Sequence, residues 1–231
     1  MKKHLSLILF SFCIFTVEFV SAQIPSYFPT NGLVGWWPFN GNANDESGNG
    51  NNGVVNGATL TSDRNNLAGK SYQFDQSLIK TNSVISSVAN NFSTSFWINC
   101  NADINYNNDG FPLNQFVIHP THGACFGNPY ENSGSGVYIG KNGVTVIEHS
   151  HLYVRVALKY YINLVNWHFV TINYINKGPQ LYIDGQFITS GVGNTRNVHP
   201  SNGYDNNGYG NYSNSGIGVG FNSQFFNGNI D

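Results

Sequence analysis

Apolar and polar residues alternate with a period of two along most of the chain, and this pattern predicts β-strands. In residues 152–161, Leu152, Val154, Val156 and Leu158 are separated by single residues. This stretch lacks Gly, Pro and Asn, so it is the best place for a helix, yet its period is that of a strand. Residues 93–98 and 167–174 are rich in aromatic and β-branched side chains, which also indicates strands.

Two β-hairpins are marked by their turn residues. Strand-like segments flank Asn142-Gly143 and again Asp184-Gly185, and these dipeptides accept the positive φ angles that a tight type I′ turn requires. Short strands follow one another at roughly 10 to 15 residues, separated by Asn, Gly and Pro clusters. This spacing predicts an all-β sandwich or barrel. We expect the Asn/Gly-rich runs 40–57 and 194–214 to be long surface loops of one domain.

Composition excludes several classes of protein. The 231 residues include 36 asparagines and 26 glycines, and only 10% are charged, with a net charge of −2. Ten Lys and Arg side chains cannot form the basic face that nucleic acids require. A hydrophobic fraction of 40% is enough to build a core, which argues against disorder. The abundance of Asn, Gly and β-branched residues argues against a helical bundle.

The first 22 residues have the pattern of a signal peptide. A basic start at Lys2-Lys3 precedes the apolar stretch Leu5–Phe15, and small residues occupy Val20–Ala22. A transmembrane anchor is the alternative, but Glu18 interrupts the apolar run and the run is short for a bilayer. We therefore expect export, with a secreted or cell-surface location, and no transmembrane segment in the mature chain.

Two cysteines, Cys100 and Cys125, remain after the signal peptide. In an oxidising compartment an even pair favours a disulfide bond, here closing a loop of roughly 25 residues. Two unrelated buried thiols are the alternative. We predict the Cys100–Cys125 disulfide because both residues flank one loop-rich insertion.

Six short motifs occur in the order found in one family of secreted domains. They are Gly32–Gly50, Ser71–Asp75, Ser95–Ile98, Trp167–Val170, Leu181–Gly185 and Phe226–Asp231. Together they resemble laminin G-like (LamG, laminin G type 3) domains of the concanavalin A-like lectin/glucanase superfamily, common in secreted proteins of Bacteroidetes-type bacteria. The resemblance implies a two-sheet antiparallel jelly-roll sandwich over residues 30–231.

The family pattern continues beyond Ile230-Asp231 with a final hydrophobic strand, which this sequence lacks. We expect the domain to lack that strand. If it pairs with a Trp36-Trp37 strand in the family, one sheet edge is left open.

Glucanases of the superfamily place two carboxylates two positions apart on one strand, as nucleophile and acid. No two acidic residues of the mature chain are two apart. We therefore expect a non-catalytic protein.

Four histidines could contribute to a metal site. His149 and His151 are two positions apart and would share one face of a strand, with Glu148 on the opposite face, a spacing that can chelate a metal. His119 and His122 lie in a loop and would join them only through tertiary packing. Histidines satisfied by ordinary hydrogen bonds are the interpretation we favour.

Calcium is the metal that the sequence favours more. Asp103, Asn105, Asn107 and Asp109 place oxygen donors at alternate positions, as calcium loops do. The resemblance adds to this, because LamG domains often hold calcium at the rim of the sandwich. The alternative is a solvated Asn-rich loop.

A sugar site needs flat aromatic faces and polar groups that bond hydroxyls. Residues 203–212 have that chemistry: Tyr204, Tyr209 and Tyr212 would stack, and Asp205 and Asn206 would bond hydroxyls. Alternatively, these tyrosines attach a long loop to the sheet.

The sequence thus predicts a secreted binding or adhesion module whose partner is a glycan or a cell-surface protein, with carbohydrate binding as the first hypothesis. A protein-interaction or spacer module without a small-molecule ligand is the second.

Overall fold

The computed structural model describes Ser26 and residues 30–231, apart from 82, 152, 206–215 and 222–223. The predicted signal peptide and Asn206, Tyr209 and Tyr212 therefore lie outside the described residues. No helix in the described part of the chain is both long and apolar enough to span a membrane.

Strands account for nearly all the regular structure. In chain order they are β1 (Val54–Asn56), β2 (Thr59–Thr61), β3 (Ser71–Phe74), β4 (Leu78–Lys80), β5 (Phe92–Cys100), β6 (Phe116–Ile118), β7 (Asn132–Gly140), β8 (Gly143–His149), β9 (Val154–Tyr161), β10 (Trp167–Ile175), β11 (Gly178–Ile183), β12 (Gln186–Ser190), β13 (Asn197–His199) and β14 (Gly228–Ile230). A short 3-10 helix, Gly123–Phe126, lies between β6 and β7.

Two sheets form a β-sandwich, as predicted. One has seven strands in the order β12-β11-β10-β5-β14-β3-β2, and the other has the order β13-β7-β8-β9, with β6 paired to β7. Strands β1 and β4 form a separate pair. The pairings between these strands are antiparallel except that β13 runs parallel to β7.

The main core lies between the two sheets. Val137 and Ile139 of β7 and Val146 of β8 belong to the same buried cluster as Val170 and Ile172 of β10. These positions alternate along their strands, as expected for side chains that share one face.

A second layer covers the other face of β7 and β8. Tyr138 and Ile147, the neighbours of core residues, pack in a separate buried cluster with Ile104, Phe116 and Phe221. All residues of β7 and β8 are buried. Loops between β5 and β7 and after β13 therefore cover the sheet face that faces away from the main core.

One ionic network is buried with the core. Glu148, which is 1% exposed, accepts a hydrogen bond from the Tyr174 hydroxyl at 3.0 Å and pairs with Arg155 Nε at 3.0 Å. Asn194 Nδ2 donates to Glu148 Oε2, the same oxygen that pairs with Arg155. Burial raises the pKa of Glu148, although Arg155, Tyr174 and Asn194 oppose that shift.

Most predicted local elements are present, with differences of detail. The three predicted strands are β5, β9 and β10, and Asp184-Gly185 forms the β11–β12 turn with φ angles of 50° and 79°. The β7–β8 hairpin is present, but Gly140 pairs with Gly143, so its turn is Lys141-Asn142. The prediction of a strand at Trp36-Trp37 was wrong, because both residues lie in a loop. The Trp36 backbone N–H donates to Asp45 Oδ1 at 2.9 Å.

Candidate functional site

An open groove lies at the surface where segments from both sheets meet. We call it the rim groove, and its cavity volume is about 390 Å³. The residues that line it come from three separate segments and are Tyr130, Glu131, Lys177, Thr195, Arg196 and Asn197. All but Thr195 and Asn197 carry either an aromatic ring or a formal charge.

Backbone pairing brings these three segments together. Asn197, the first residue of β13, donates its backbone N–H to Glu131 O at 2.7 Å, which continues the parallel β13–β7 pairing. Lys177 lies in the β10–β11 turn with a φ of 69°, and its Nζ donates to Thr195 O at 3.2 Å. Asn194 also donates its backbone N–H to Lys177 O at 3.1 Å, so main-chain hydrogen bonds join all three segments.

The groove combines an exposed ring with charged groups. The Tyr130 side chain is 60% exposed. The Arg196 guanidinium lies 4.8 Å from the ring centre of Tyr153 and donates to its hydroxyl. Glu131 makes no ion pair among the described residues. A flat aromatic face, a carboxylate acceptor and cationic donors are therefore available to a ligand.

The predicted sugar-binding segment is described only at its start. Tyr204 is half-buried and Asp205 is buried. The Tyr204 carbonyl accepts a hydrogen bond from Thr121 Oγ1 at 2.7 Å, and the Asp205 carboxylate faces His119 Nε2 at 3.1 Å. Neither side chain contributes to the rim groove, and the sugar-binding role of this segment stays a prediction.

Tertiary packing assembles a histidine cluster that the sequence did not predict as such. His119 follows β6, His149 ends β8, and Asp205 follows β13. One ligand atom from each lies within 4.8 Å of the others. The His122 ring centre is 4.6 Å from that of His149. The structure thus brings His149 close to His119, and the His151 ring contacts those of His122 and Tyr130.

The predicted calcium loop is a surface turn closed by its own hydrogen bonds. Asp103, Asn105, Asn107 and Asp109 are exposed. Asn107 Oδ1 accepts from Phe111 N at 2.7 Å, so one of the four candidate oxygens already holds the turn. Calcium binding there stays a prediction.

The predicted disulfide bond is not formed. Cys100 and Cys125 are not joined to each other. Cys100 lies at the end of β5 with its Sγ 3.4 Å from Ile139 O, whereas Cys125 lies in the 3-10 helix with its Sγ 3.5 Å from Asp205 Oδ1. The prediction was wrong because the first thiol packs under β7 while the second lies in the outer layer of loops. Burial raises the pKa of Cys100 to about 12.

Comparison with known proteins assigns the chain to a family. The family described as "Clostridium neurotoxin, N-terminal receptor binding" matches residues 40–207, which is more than two thirds of the chain. The chain belongs to this family. The matched range includes all the residues of the rim groove and of the histidine cluster. Membership of the LamG family and a Bacteroidetes-type origin are not confirmed.

One solved structure supports the β-sandwich fold. Domain 4 of AbnA, an extracellular GH43 arabinanase from Geobacillus stearothermophilus solved in complex with arabinotriose, is 18% identical with a TM-score of 0.55. The match covers 86% of this chain and 89% of that one. The carbohydrate-binding module CBM66 from Bacillus subtilis is 12% identical with a TM-score of 0.32, covering 61% and 78%. A search of curated proteins finds no match.

Proposed function

We propose that this chain is a non-catalytic carbohydrate-binding module and that a saccharide binds in the rim groove. The observation that carries the proposal is the exposed Tyr130 ring beside Glu131, Lys177 and Arg196 in one open groove. A sugar presents a flat apolar face and a ring of hydroxyls, so it needs an aromatic surface together with donors and acceptors.

Two comparisons support this proposal. The name of the family refers to receptor binding, which is a recognition function and not a catalytic one. The arabinanase domain was solved with arabinotriose, so a domain of similar fold takes an oligosaccharide. We further propose that the protein is secreted or attached to the cell surface, on the basis of the signal-peptide pattern at residues 1–22.

The charge of the groove defines which sugars fit. Glu131 and Arg196 present opposite charges, and charged side chains form stronger hydrogen bonds to hydroxyls than neutral ones do. The Lys177 ammonium is partly engaged with Thr195 O. Neutral or acidic oligosaccharides are therefore the ligands that this groove suits.

A glycan array with the mature domain is the first test, followed by titration calorimetry with any glycan retained. Tyr130→Ala should weaken binding by about tenfold or more, because it removes the aromatic face. Tyr161→Ala is the matched control, since Tyr161 is 63% exposed but lies outside the groove. Repeating the array with calcium and with EDTA tests the predicted Asp103–Asp109 loop.

The outcomes test separately whether the protein binds carbohydrate and whether it does so in the rim groove. If no glycan binds, the carbohydrate hypothesis fails. If a glycan binds and both tyrosine variants behave alike, the carbohydrate hypothesis stands but the rim groove is the wrong site.

A protein-interaction module is the second candidate. It is favoured by β12, which forms an edge of the seven-stranded sheet and carries Phe187 at 55% exposure. An exposed edge strand can pair with a strand of another chain. A protein partner captured by the wild type but not by Phe187→Glu would support this candidate.

A further inference from the structure

The histidine cluster has the composition and the spacing of a metal site. His119 Nε2 and Asp205 Oδ2 are 3.1 Å apart, and one ligand atom from each of His119, His149 and Asp205 lies within 4.8 Å of the others. Tetrahedral ligands at ordinary zinc bond lengths are about 3.3 Å apart. One pair already has this separation, and a small shift of the third side chain would complete a three-ligand arrangement.

The backbone around the cluster is held in place without a metal. Thr121 donates its N–H to Ser201 Oγ at 2.9 Å and its hydroxyl to Tyr204 O at 2.7 Å. These bonds fix the segment after His119 to the segment that carries Asp205. The three candidate ligands are therefore presented by segments that are already joined, which lowers the entropic cost of binding a metal.

Two glycines allow this arrangement. A Cβ atom at Gly136 would lie 2.6 Å from Pro120 Cδ, and one at Gly134 would overlap Thr121 O. Only residues without a side chain at these two positions of β7 let the 119–122 segment lie directly on the sheet. His119 thereby comes close to His149, which ends the neighbouring strand β8.

The surroundings of the cluster orient its imidazole rings. His149 Nδ1 lies 3.5 Å from the Pro120 carbonyl, the kind of outer contact that orients a ligating histidine. The Phe221 ring packs on both imidazoles, with centre distances of 4.8 Å to His119 and 5.0 Å to His149.

We propose that His119, His149 and Asp205 bind one first-row divalent cation, of which Zn²⁺ is the probe used below. Two imidazole nitrogens and one carboxylate oxygen suit zinc and its neighbours, whereas calcium and magnesium prefer sites made of oxygen alone. Cys125 Sγ lies 3.5 Å from Asp205 Oδ1 but is not part of the group whose ligand atoms lie within 4.8 Å of one another, so the proposed site has three protein ligands. The ion would connect the ends of β6 and β8 to the loop after β13 and stabilise the outer layer.

The test is metal binding by the whole mature chain. After EDTA treatment and dialysis, Zn²⁺ is added in competition with a chromogenic chelator, and we expect one high-affinity zinc per chain. At a hundredfold excess over the dissociation constant, zinc should raise the melting temperature by about 5 °C or more. His149→Gln and Asp205→Asn should each lower affinity by about 100-fold or more.

His168→Gln is the matched control, because His168 lies outside the cluster and pairs with Asp184 at 2.8 Å. It should bind zinc like the wild type. Asp205→Asn preserves side-chain volume, so it gives a folded variant should His149→Gln fail to fold. Failure of the wild type to bind stoichiometric zinc would overturn the proposal, as would equal affinity in the wild type and Asp205→Asn.

Cobalt(II) gives a second readout. A complex at the three-residue site should show visible bands of tetrahedral intensity. An additional near-ultraviolet thiolate charge-transfer band that disappears in Cys125→Ser would add Cys125 as a fourth ligand. If the visible bands occur without the charge-transfer band, Cys125 is not a ligand and the three-residue site stands. Weak octahedral bands unchanged in Asp205→Asn would overturn the site itself.

Discussion

Replacing Tyr174 by Phe tests the buried ionic network. Tyr174 and Glu148 are each 1% exposed, and the hydroxyl that is removed donates to Glu148 Oε1 at 3.0 Å. A hydrogen bond to a charged group contributes about 1.5–3 kcal/mol, against about 1 kcal/mol for a neutral one. We expect Tyr174→Phe to cost about 2 kcal/mol, which lowers the melting temperature of a chain of this size by about 4–8 °C.

Tyr138→Phe is the matched control for this variant. Tyr138 is also fully buried, but its hydroxyl donates to the neutral amide of Gln224 at 3.1 Å. We expect it to cost about 1 kcal/mol. Both variants are compared with the wild type by thermal melting and by urea unfolding, at mildly alkaline pH where Glu148 is ionised.

The pKa of Glu148 determines how the difference between the two stability losses changes with pH. Burial raises the folded pKa of Glu148 above 4.5, and loss of the Tyr174 donor raises it further. The extra cost of Tyr174→Phe should therefore be present above the raised pKa and shrink as the carboxyl is protonated at acid pH. Equal losses for the two variants in alkaline solution would refute an ionised Glu148 in the core.

Two further predictions concern the Trp36–Asn51 loop and the thiols. Burial raises the pKa of Asp45, but hydrogen bonds from Ser47, Trp36 and Asn51 outweigh burial and lower the pKa below 3.8. Asp45→Asn should therefore lower the free energy of unfolding by about 1–2 kcal/mol near neutral pH. This difference, measured by urea unfolding, should disappear as the pH falls through the lowered pKa. Cys100 should resist iodoacetamide in the native protein, because burial raises its pKa to about 12, and it should react once the chain is unfolded without reductant. Persistent protection in the unfolded chain would instead reveal a disulfide.

Local turn chemistry explains which parts of the fold were predictable. Asp184-Gly185 forms its turn as expected because both residues adopt positive φ readily. The turn at Asn176-Lys177 also has two positive φ angles, but Lys177 gives no such signal in the sequence. Its conformation is imposed by the long β10–β11 pairing and by a hydrogen bond from Lys177 N to Asn90 O at 3.0 Å.

The rim groove could not be predicted, since its residues are brought together by a parallel strand pairing in a sandwich that was predicted to be antiparallel. Glu131 meets Asn197 only because β13 runs parallel to β7, whereas the expected topology was antiparallel throughout. A parallel pair of three residues has no turn and no characteristic spacing in the sequence. No pattern in the sequence therefore indicates that the exposed Tyr130 and the cationic Arg196 lie in the same groove.

The histidine cluster did leave a signal in the sequence, in strand β7 and not in the histidines. Gly134, Gly136 and Gly140 lie on one face of this strand, and a side chain at each would collide with chain that packs on it. Glycines at such alternate positions indicate that another backbone approaches that face closely. His119, in the segment after β6 that covers this face, is buried close to the end of β8, where His149 lies. The spacing of glycines in a strand thus contains information about the site that the spacing of the histidines does not.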